Sequence, residues 1–456
     1  MKNVYFIGIG GIGMSALARY YNHQGCYVAG YDRTPSKLTH QLEAEGIYVH
    51  YQDSLSNIPE RIKEDKEALV IYTPAIPHDS PELQWLTSNG YKIIKRSEAL
   101  GHLASSKKCL AVAGTHGKTT TSTLLAHILE HSGEGCTAFL GGISVNYNTN
   151  LLLSRNNVLV AEADEFDRSF LQLWPQIAVI TSADADHLDI YNDHSTIIGA
   201  FADFAAQVSQ SGSLVVKKGI EQAVTSKAKT KVYTYSYDSP CDFYAGNLVM
   251  EEGGYFRFTL NYPGGSIDDC KVGIPGWINV ENGVAASAVA ILHGTDPQKV
   301  KEALAQFRGV RRRFELLLKT RKCAYIDDYA HHPKELSAAL SSIRNIFPGK
   351  KITVVFQPHL YTRTRDFAQE FAQSLSLADE LILLDIYPAR ELPIEGITSQ
   401  TILKDVTLEE KTLTSKENLF EVLSNKKIEV LVTFGAGDID RLTEPIAEYL
   451  KNRYDV

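Results

Sequence analysis

The chain is 456 residues long, 44% apolar and 22% charged, with a formal net charge of −8. These globular proportions exclude a disordered or fibrous chain, and the acidic balance excludes the net basic surface that a nucleic-acid partner requires. At the usual domain size the length holds about three domains.

The first unit, residues 1–104, opens with an apolar run from Val4 to Ile7, then Gly8-Ile9-Gly10-Gly11-Ile12-Gly13, then helical spacing at Ala16, Leu17, Tyr20 and Tyr21. Only Lys2 precedes the run and four glycines break the apolar character after it, so it reads as strand and turn rather than as a signal peptide. A second strand from Tyr27 to Tyr31 ends at Asp32, near the spacing of an acidic residue that takes a ribose hydroxyl. Together these features predict a nucleotide-diphosphate site built on Gly8, Gly10, Gly11, Gly13 and Asp32.

The second unit, residues 105–313, comes after the polar stretch Ser105-Ser106-Lys107-Lys108. An apolar run from Cys109 to Ala113 leads into Gly114-Thr115-His116-Gly117-Lys118-Thr119-Thr120, and helical spacing resumes at Leu124, Leu125, Ile128 and Leu129. Strand, glycine-rich bend and helix aim backbone N–H groups at one point, the arrangement that binds a polyphosphate. The first glycine of the standard phosphate loop would fall on Val112, so this loop is a shortened variant. In it Lys118 is expected to reach the β/γ-phosphates and the Thr119 hydroxyl to sit on Mg²⁺. Further strands are predicted at 158–161, ending at Glu162, and at 177–180, leading to Asp184-Ala185-Asp186-His187. Carboxylates and imidazoles at strand ends lie where an α/β sheet places its ligand crevice, so Glu162 and His187 are candidate ligands of a second Mg²⁺, with a solvated acidic turn as the alternative. Short alternating pieces between Asp242 and Gly276 predict small antiparallel hairpins, and a helix is predicted over 284–292.

The third unit, residues 314–456, begins after Arg311-Arg312-Arg313. Arg312 is a candidate cation for a transferring phosphate, and a solvated linker is the bland alternative. Strands near 353–356, 381–384 and 430–434 alternate with helices near 334–346 and 366–377, the pattern of another parallel sheet. The segments Asp327-Asp328-Tyr329-Ala330-His331-His332-Pro333 and 357–365 lack four well-spaced zinc ligands, which favours anion recognition by Arg363 and Arg365. His187, His331 and His359 can each accept a proton at neutral pH, and the sequence does not choose among them. The fold class is α/β, three α/β domains in series. No apolar run is long enough for a membrane span, and six scattered cysteines without C-x-x-C spacing read as buried thiols of a reducing, cytoplasmic setting.

Taken together, the motifs resemble those of the Mur ligases over nearly the full length. The resemblance rests on the 8–15 glycine segment, the 114–120 loop, Glu162-Ala163-Asp164-Glu165, Asp186-His187-Leu188-Asp189, Arg312-Arg313-Phe314, the 327–333 segment and Phe356-Gln357-Pro358-His359. It implies a Rossmann-like N-terminal domain that binds UDP, a central P-loop ATPase-like domain, and a Rossmann-like C-terminal domain contributing to ATP and amino-acid binding. The implied reaction uses ATP and Mg²⁺ to join L-alanine to UDP-N-acetylmuramate through an acyl phosphate, in a monomer or weak homodimer. A related ligase that attaches a recycled tripeptide to the same sugar would share most of these motifs. Also implied are Mg²⁺ on Thr119, Glu162 and His187, phosphate on Lys118 and Arg312, and adenine on Asn279 and Asn282. One departure stands out: the adenine segment of these ligases commonly reads Pro-Gly-x-His-Asn, and here Ile278 takes the histidine's place. An NAD-dependent dehydrogenase would leave the second loop idle, and a switch NTPase would release phosphate whatever the amino acid.

Overall fold

A computed structural model describes residues 2–77, 79–184, 188–191, 193–389 and 391–454, without the side chains of Leu188 and Asp189. They divide into two compact units, one of residues 1–248, 258–272 and 280–308 and the other of 249–257, 273–279 and 309–456.

Five parallel strands make the first sheet, in the order Tyr48–His50, Tyr27–Tyr31, Asn3–Ile7, Leu69–Tyr72, Lys92–Lys95. Chain direction across the sheet reverses at Asn3–Ile7, so the glycine loop leaves the sheet at the switch point where α/β folds place ligands. Val4, Tyr5, Phe6 and Ile7 are fully buried, which is why this strand reads as a continuous apolar run instead of an alternating one.

Ten strands form the second sheet, and Lys108–Ala113 runs through it between Ile177–Ile180 and Val158–Ala163, parallel to both. The strands Phe243–Met250, Phe256–Tyr262 and Gly265–Lys271, expected as small antiparallel hairpins, lie side by side in this sheet and extend it, the first pairing in parallel with Lys231–Ser236. Their alternation was legible, whereas their attachment to a distant strand was not. The helix predicted over 284–292 runs Trp277–His293, starting just after Gly276 at φ +99°.

The second unit holds six strands in the order Glu315–Lys319, Ala324–Asp328, Val430–Phe434, Ile352–Phe356, Glu380–Leu384, Lys411–Thr414, antiparallel only at the first pair. The helix expected near 366–377 runs Ala368–Leu375, and a short helix, Tyr361–Asp366, precedes it across Phe367 at φ −121°, ψ 21°.

One apolar cluster runs from Phe6, Leu17 and Tyr21 to Phe139, Leu151 and Leu159, so residues on either side of position 104 share a core. Asn150, fully buried, fastens that junction: its amide donates to Ile12 O (2.6 Å) and Ser15 Oγ (2.9 Å), and its Oδ1 accepts from Arg19 (2.5 Å). Among the described residues no disulfide joins any of the six cysteines, and burial pushes Cys109 up to about 12. Among the described residues no helix is long and apolar enough to cross a membrane.

A polar cluster sits inside the first sheet's packing. Glu82, fully buried, accepts from Tyr5 OH (2.6 Å) and Ser54 N (3.0 Å), and Tyr5 OH also meets His50 Nε2 (2.8 Å). Burial pushes Glu82 up to about 7, although the bonds from Tyr5 and Ser54 pull the other way. The folded protein therefore holds this proton more tightly than the unfolded chain, and stability is lost as pH rises from about 4.5 through 7. Urea unfolding between pH 4 and pH 8 should show Glu82→Gln gaining about 3 kcal/mol on the wild type across that window.

Candidate active site

The strand Lys108–Ala113 delivers its chain end into the bend 114–117, and the helix Lys118–His131 begins at once. Gly114 adopts φ +133°, and a Cβ there would lie 2.1 Å from Thr181 Oγ1, so the bend closes this tightly only with glycine. The neighbouring strand end pins the first half of the loop. Ser182 Oγ accepts from His116 N (2.7 Å) and meets Thr115 Oγ1 (2.9 Å), while Thr181 Oγ1 donates to His116 O (2.5 Å). Thr115 Oγ1 also accepts from Asp184 N (3.1 Å), and the His116 ring lies 3.6 Å from Asp184. Gly114, Thr115 and His116 therefore shape the loop. Gly117, at φ +81°, supplies no side-chain cap, so the first-turn N–H groups of Lys118, Thr119 and Thr120 face out of the helix end, the feature that attracts anions.

Lys118 folds back across this mouth. Its Nζ donates to Gly114 O (2.7 Å) and to Oε2 of Glu165 (2.7 Å), a fully buried carboxylate. Burial alone would lower the lysine's pKa, but Glu165, Asp164 and Glu162 outweigh it and hold the ammonium above its ordinary value. Glu165 is in turn positioned by its backbone, whose carbonyl accepts from Tyr191 OH at 2.6 Å. The next turn passes through Asp167 (φ 51°) and Arg168 (φ 54°), a left-handed conformation that costs non-glycine residues about 1–3 kcal/mol each. Lys95 holds Asp167 at 2.7 Å, and the Arg168 guanidinium stands 5.7 Å over the Tyr191 ring.

Thr119 Oγ1 donates to Glu162 Oε1 at 3.1 Å, so a hydroxyl and a carboxylate meet beside the helix end. Two oxygen donors of this kind suit a hard cation such as Mg²⁺. His187, the third expected ligand, lies outside the described residues.

In the first sheet, Gly8 N and Ile9 N both donate to Tyr31 O (2.8 and 2.9 Å). Asp32 accepts from Gly10 N at 2.8 Å and from Thr34 N at 3.2 Å. The carboxylate expected to meet a ribose thus braces the glycine loop itself.

Within the second unit, Arg312 sits at φ +62° with Nε on Asp327 Oδ2 (3.0 Å) and Nη2 on Gly435 O (2.7 Å). Asp327 also accepts from Thr433 Oγ1 (2.6 Å). Burial would lower the arginine's pKa, and Asp327 more than restores it. Burial pushes neighbouring Asp328 up to about 7, moderated by Arg313 and by Ala330 N. The His331 and His359 rings lie 5.9 Å apart, and His359 stacks on Tyr387 at 5.8 Å. His332 instead caps the helix Pro333–Ile346, accepting from Lys334 N. Arg363 and Arg365, expected to recognise an anion, lie on the short helix Tyr361–Asp366. Two positions apart on one helix, they face different ways: Arg363 is buried, and Arg365 is exposed and bonded to Asp366 at 2.7 Å. Asn279 turns its amide to Pro275 O (2.6 Å). In the first unit, Asn282 accepts from Thr121 Oγ1 (3.2 Å) directly beneath Gly117.

Sequence reading gave no role to Glu165, Thr181 or Ser182. Glu165 had a signal, its place in an acidic run beside Glu162, but spacing does not say which carboxylate meets the lysine. Thr181 and Ser182 carry no signal beyond their place after a strand.

Residues 3–108, 112–290 and 312–437 match, in turn, the families described as "Mur ligase family, catalytic domain", "Mur ligase middle domain" and "Mur ligase, glutamate ligase domain". The chain is 50% identical over 454 residues to a Porphyromonas gingivalis protein named UDP-N-acetylmuramate--L-alanine ligase, covering 99% of each. It is 48% identical over 458 residues to a Cytophaga hutchinsonii protein of the same name, covering 100% of this chain and 98% of that one. A solved Thermotoga maritima UDP-N-acetylmuramate-alanine ligase superposes with a TM-score of 0.84 at 29% identity, covering 99% of this chain and 100% of that one. A Psychrobacter arcticus murein peptide ligase shares the fold, with a TM-score of 0.74 at 21% identity over 99% of each. The chain belongs to the Mur ligase family.

Proposed function

We propose that this protein is an ATP-dependent carboxylate–amine ligase that joins L-alanine to UDP-N-acetylmuramate, a cytoplasmic step in peptidoglycan precursor synthesis. The observation that carries the reading is full-length identity of about half to relatives named for that reaction. The phosphate loop and its acidic surroundings supply the chemistry. The tripeptide-attaching alternative has structural likenesses at 21% and 27% identity, the second over 68% of this chain, both well below the identity of about half to relatives named for the L-alanine reaction.

The first step transfers the γ-phosphoryl group of ATP to the sugar's carboxylate, giving an acyl phosphate and ADP. Phosphoryl transfer depends on positioning and on neutralising the oxygens of the moving group. The first-turn amides of 118–120 offer fixed donors for those oxygens, and Lys118 offers a mobile cation. Glu165 keeps that lysine charged and at the loop mouth until a phosphate competes for it. Thr119 and Glu162 are the residues that would hold Mg²⁺, with His187 proposed as third ligand; when bound, the ion would supply positive charge that offsets the charge gathering on the transferring group. Arg312, fixed by Asp327 and Gly435 O, is proposed as a second phosphate cation, and Asn279 and Asn282 as the adenine neighbours.

In the second step the L-alanine amine attacks the acyl carbon and phosphate leaves. The ammonium must first lose a proton, and His331 and His359, ring to ring, are the proposed acceptors within the second unit. The glycine loop at Gly8, Gly10, Gly11 and Gly13, braced by Asp32, is proposed to hold the UDP diphosphate at the end of the Ile12–His23 helix. Arg363 and Arg365 remain proposed substrate contacts singly, not as a pair. The proposed domains are 1–104 for the UDP-sugar, 105–313 for ATP and 314–456 for ATP and the amino acid.

Phosphate release measured with UDP-N-acetylmuramate and each amino acid in turn should be fastest with L-alanine and absent without an amino acid; turnover with the tripeptide alone would select the alternative. Glu162→Gln should raise the Mg²⁺ concentration for half-maximal rate by about ten- to a hundredfold, since one ligand charge is lost. A magnesium titration of the steady-state rate reads this directly.

A further inference from the structure

Arg96 opens the helix Arg96–Ser105 at the carboxyl end of the first sheet's last strand, Lys92–Lys95. Its side chain is 22% exposed, and its nearest carboxylate, Asp164, stands at 3.7 Å, too far for a hydrogen bond. Among the described residues the guanidinium makes no hydrogen bond, an uncommon state for five fixed donors that are mostly shielded from water. Arg19, on the neighbouring helix, shows the usual state: it is bonded to both oxygens of Glu45, to Asn150 and to Gln41.

What Arg96 does touch is the glycine loop. A Cβ placed on Gly13 would lie 2.9 Å from Arg96 Nη1 and 3.1 Å from its Cδ, so Gly13 is bare where the arginine passes. Gly13 belongs to the first turn of the Ile12–His23 helix, whose N-terminus has no side-chain cap. On its other flank Arg96 lines a small cavity with Ser97, Glu162 and Asp164. An unsatisfied planar fork therefore lies between the mouth of the glycine loop and the acidic strand end that carries Glu162.

We propose that Arg96 is a substrate-binding residue whose guanidinium takes the diphosphate of the UDP-sugar at the glycine loop. The assignment rests on the reading of that loop as the UDP site. A guanidinium matches two phosphate oxygens in a bidentate bond, adding the charge that the glycine loop, built from backbone amides, does not have. The loose pairing with Asp164 keeps the fork oriented without occupying its donors. Because the diphosphate is distant from the reacting carboxyl group, the contact acts on binding more than on turnover.

Calorimetry of the full chain with UDP tests this. Arg96→Gln should weaken UDP at least tenfold, leave a non-hydrolysable ATP analogue within twofold of wild type, and raise KM for UDP-N-acetylmuramate with kcat nearly kept. Arg96→Lys, which preserves the stem and charge but not the fork, should show a several-fold loss and serves if the glutamine variant does not fold. Unchanged UDP affinity in these variants, with the wild type binding UDP, overturns the Arg96 assignment alone. A loss seen only with UDP-N-acetylmuramate and not with UDP or UDP-N-acetylglucosamine, which lacks the lactyl carboxylate, also overturns it and moves the contact to that carboxylate. A wild-type chain that binds no UDP overturns the reading of the loop as well.

Discussion

A lysine ammonium enclosed at the foot of a helix must have a carboxylate, and the origin of that carboxylate determines most of the geometry around the phosphate loop. Lys118 is held by Glu165, a side chain with no exposure at all. Removing one partner of such a buried pair typically costs about 3–5 kcal/mol, because the other charge is stranded. The acidic segment is therefore tied to the phosphate loop whatever its own backbone prefers. The left-handed Asp167 and Arg168 are the visible consequence, and Lys95 and Tyr191 offset their strain. The same segment places Glu162 beside Thr119 and Asp164 beside Arg96. One ion pair thus orders the lysine, the metal-suited oxygen pair and the wall of the small cavity that Arg96 lines. It also leaves the lysine exchangeable, because a triphosphate brings more charge than one carboxylate.

The second unit repeats the device with an arginine. Arg312 is locked by Asp327, itself fixed by Thr433, whose hydroxyl also meets Tyr325 OH at 3.0 Å. These partners lie on the adjacent parallel strands Ala324–Asp328 and Val430–Phe434. A guanidinium anchored this way has a fixed position, whereas on the proposed reading Lys118 would leave its partner to meet a phosphate. The two cations differ in kind: one is a fixed field, the other a movable contact.

Much of this was legible in the sequence where local pattern and burial agree. The runs 4–7, 109–113, 177–180 and 430–434 are apolar throughout because their strands are covered on both faces, and each was found within a residue or two. The 114–120 loop was legible because glycine and lysine occur there for reasons of backbone geometry and charge. Side-chain direction was not legible. Spacing does not show that Asp32 accepts from Gly10 N, or that Arg363 is buried while Arg365, two positions on, is exposed. His332 is indistinguishable in sequence from His331, and only the helix start at Pro333 assigns it to a cap. Arg96 looks like any helix-opening arginine until Gly13 is seen to make room for it. Long-range strand pairing was equally hidden: the 243–271 strands were expected as small antiparallel hairpins, and their attachment to Lys231–Ser236 carried no local signal.

The central claim is that Lys118 waits on Glu165 and is transferred to the triphosphate. A crystal structure of the protein with a non-hydrolysable ATP analogue and Mg²⁺ measures this directly. The account predicts Lys118 Nζ within about 3 Å of a β- or γ-phosphate oxygen, with the phosphates against the first-turn amides of 118–120. An analogue bound with Lys118 still on Gly114 O and Glu165, and the helix end empty, would contradict it.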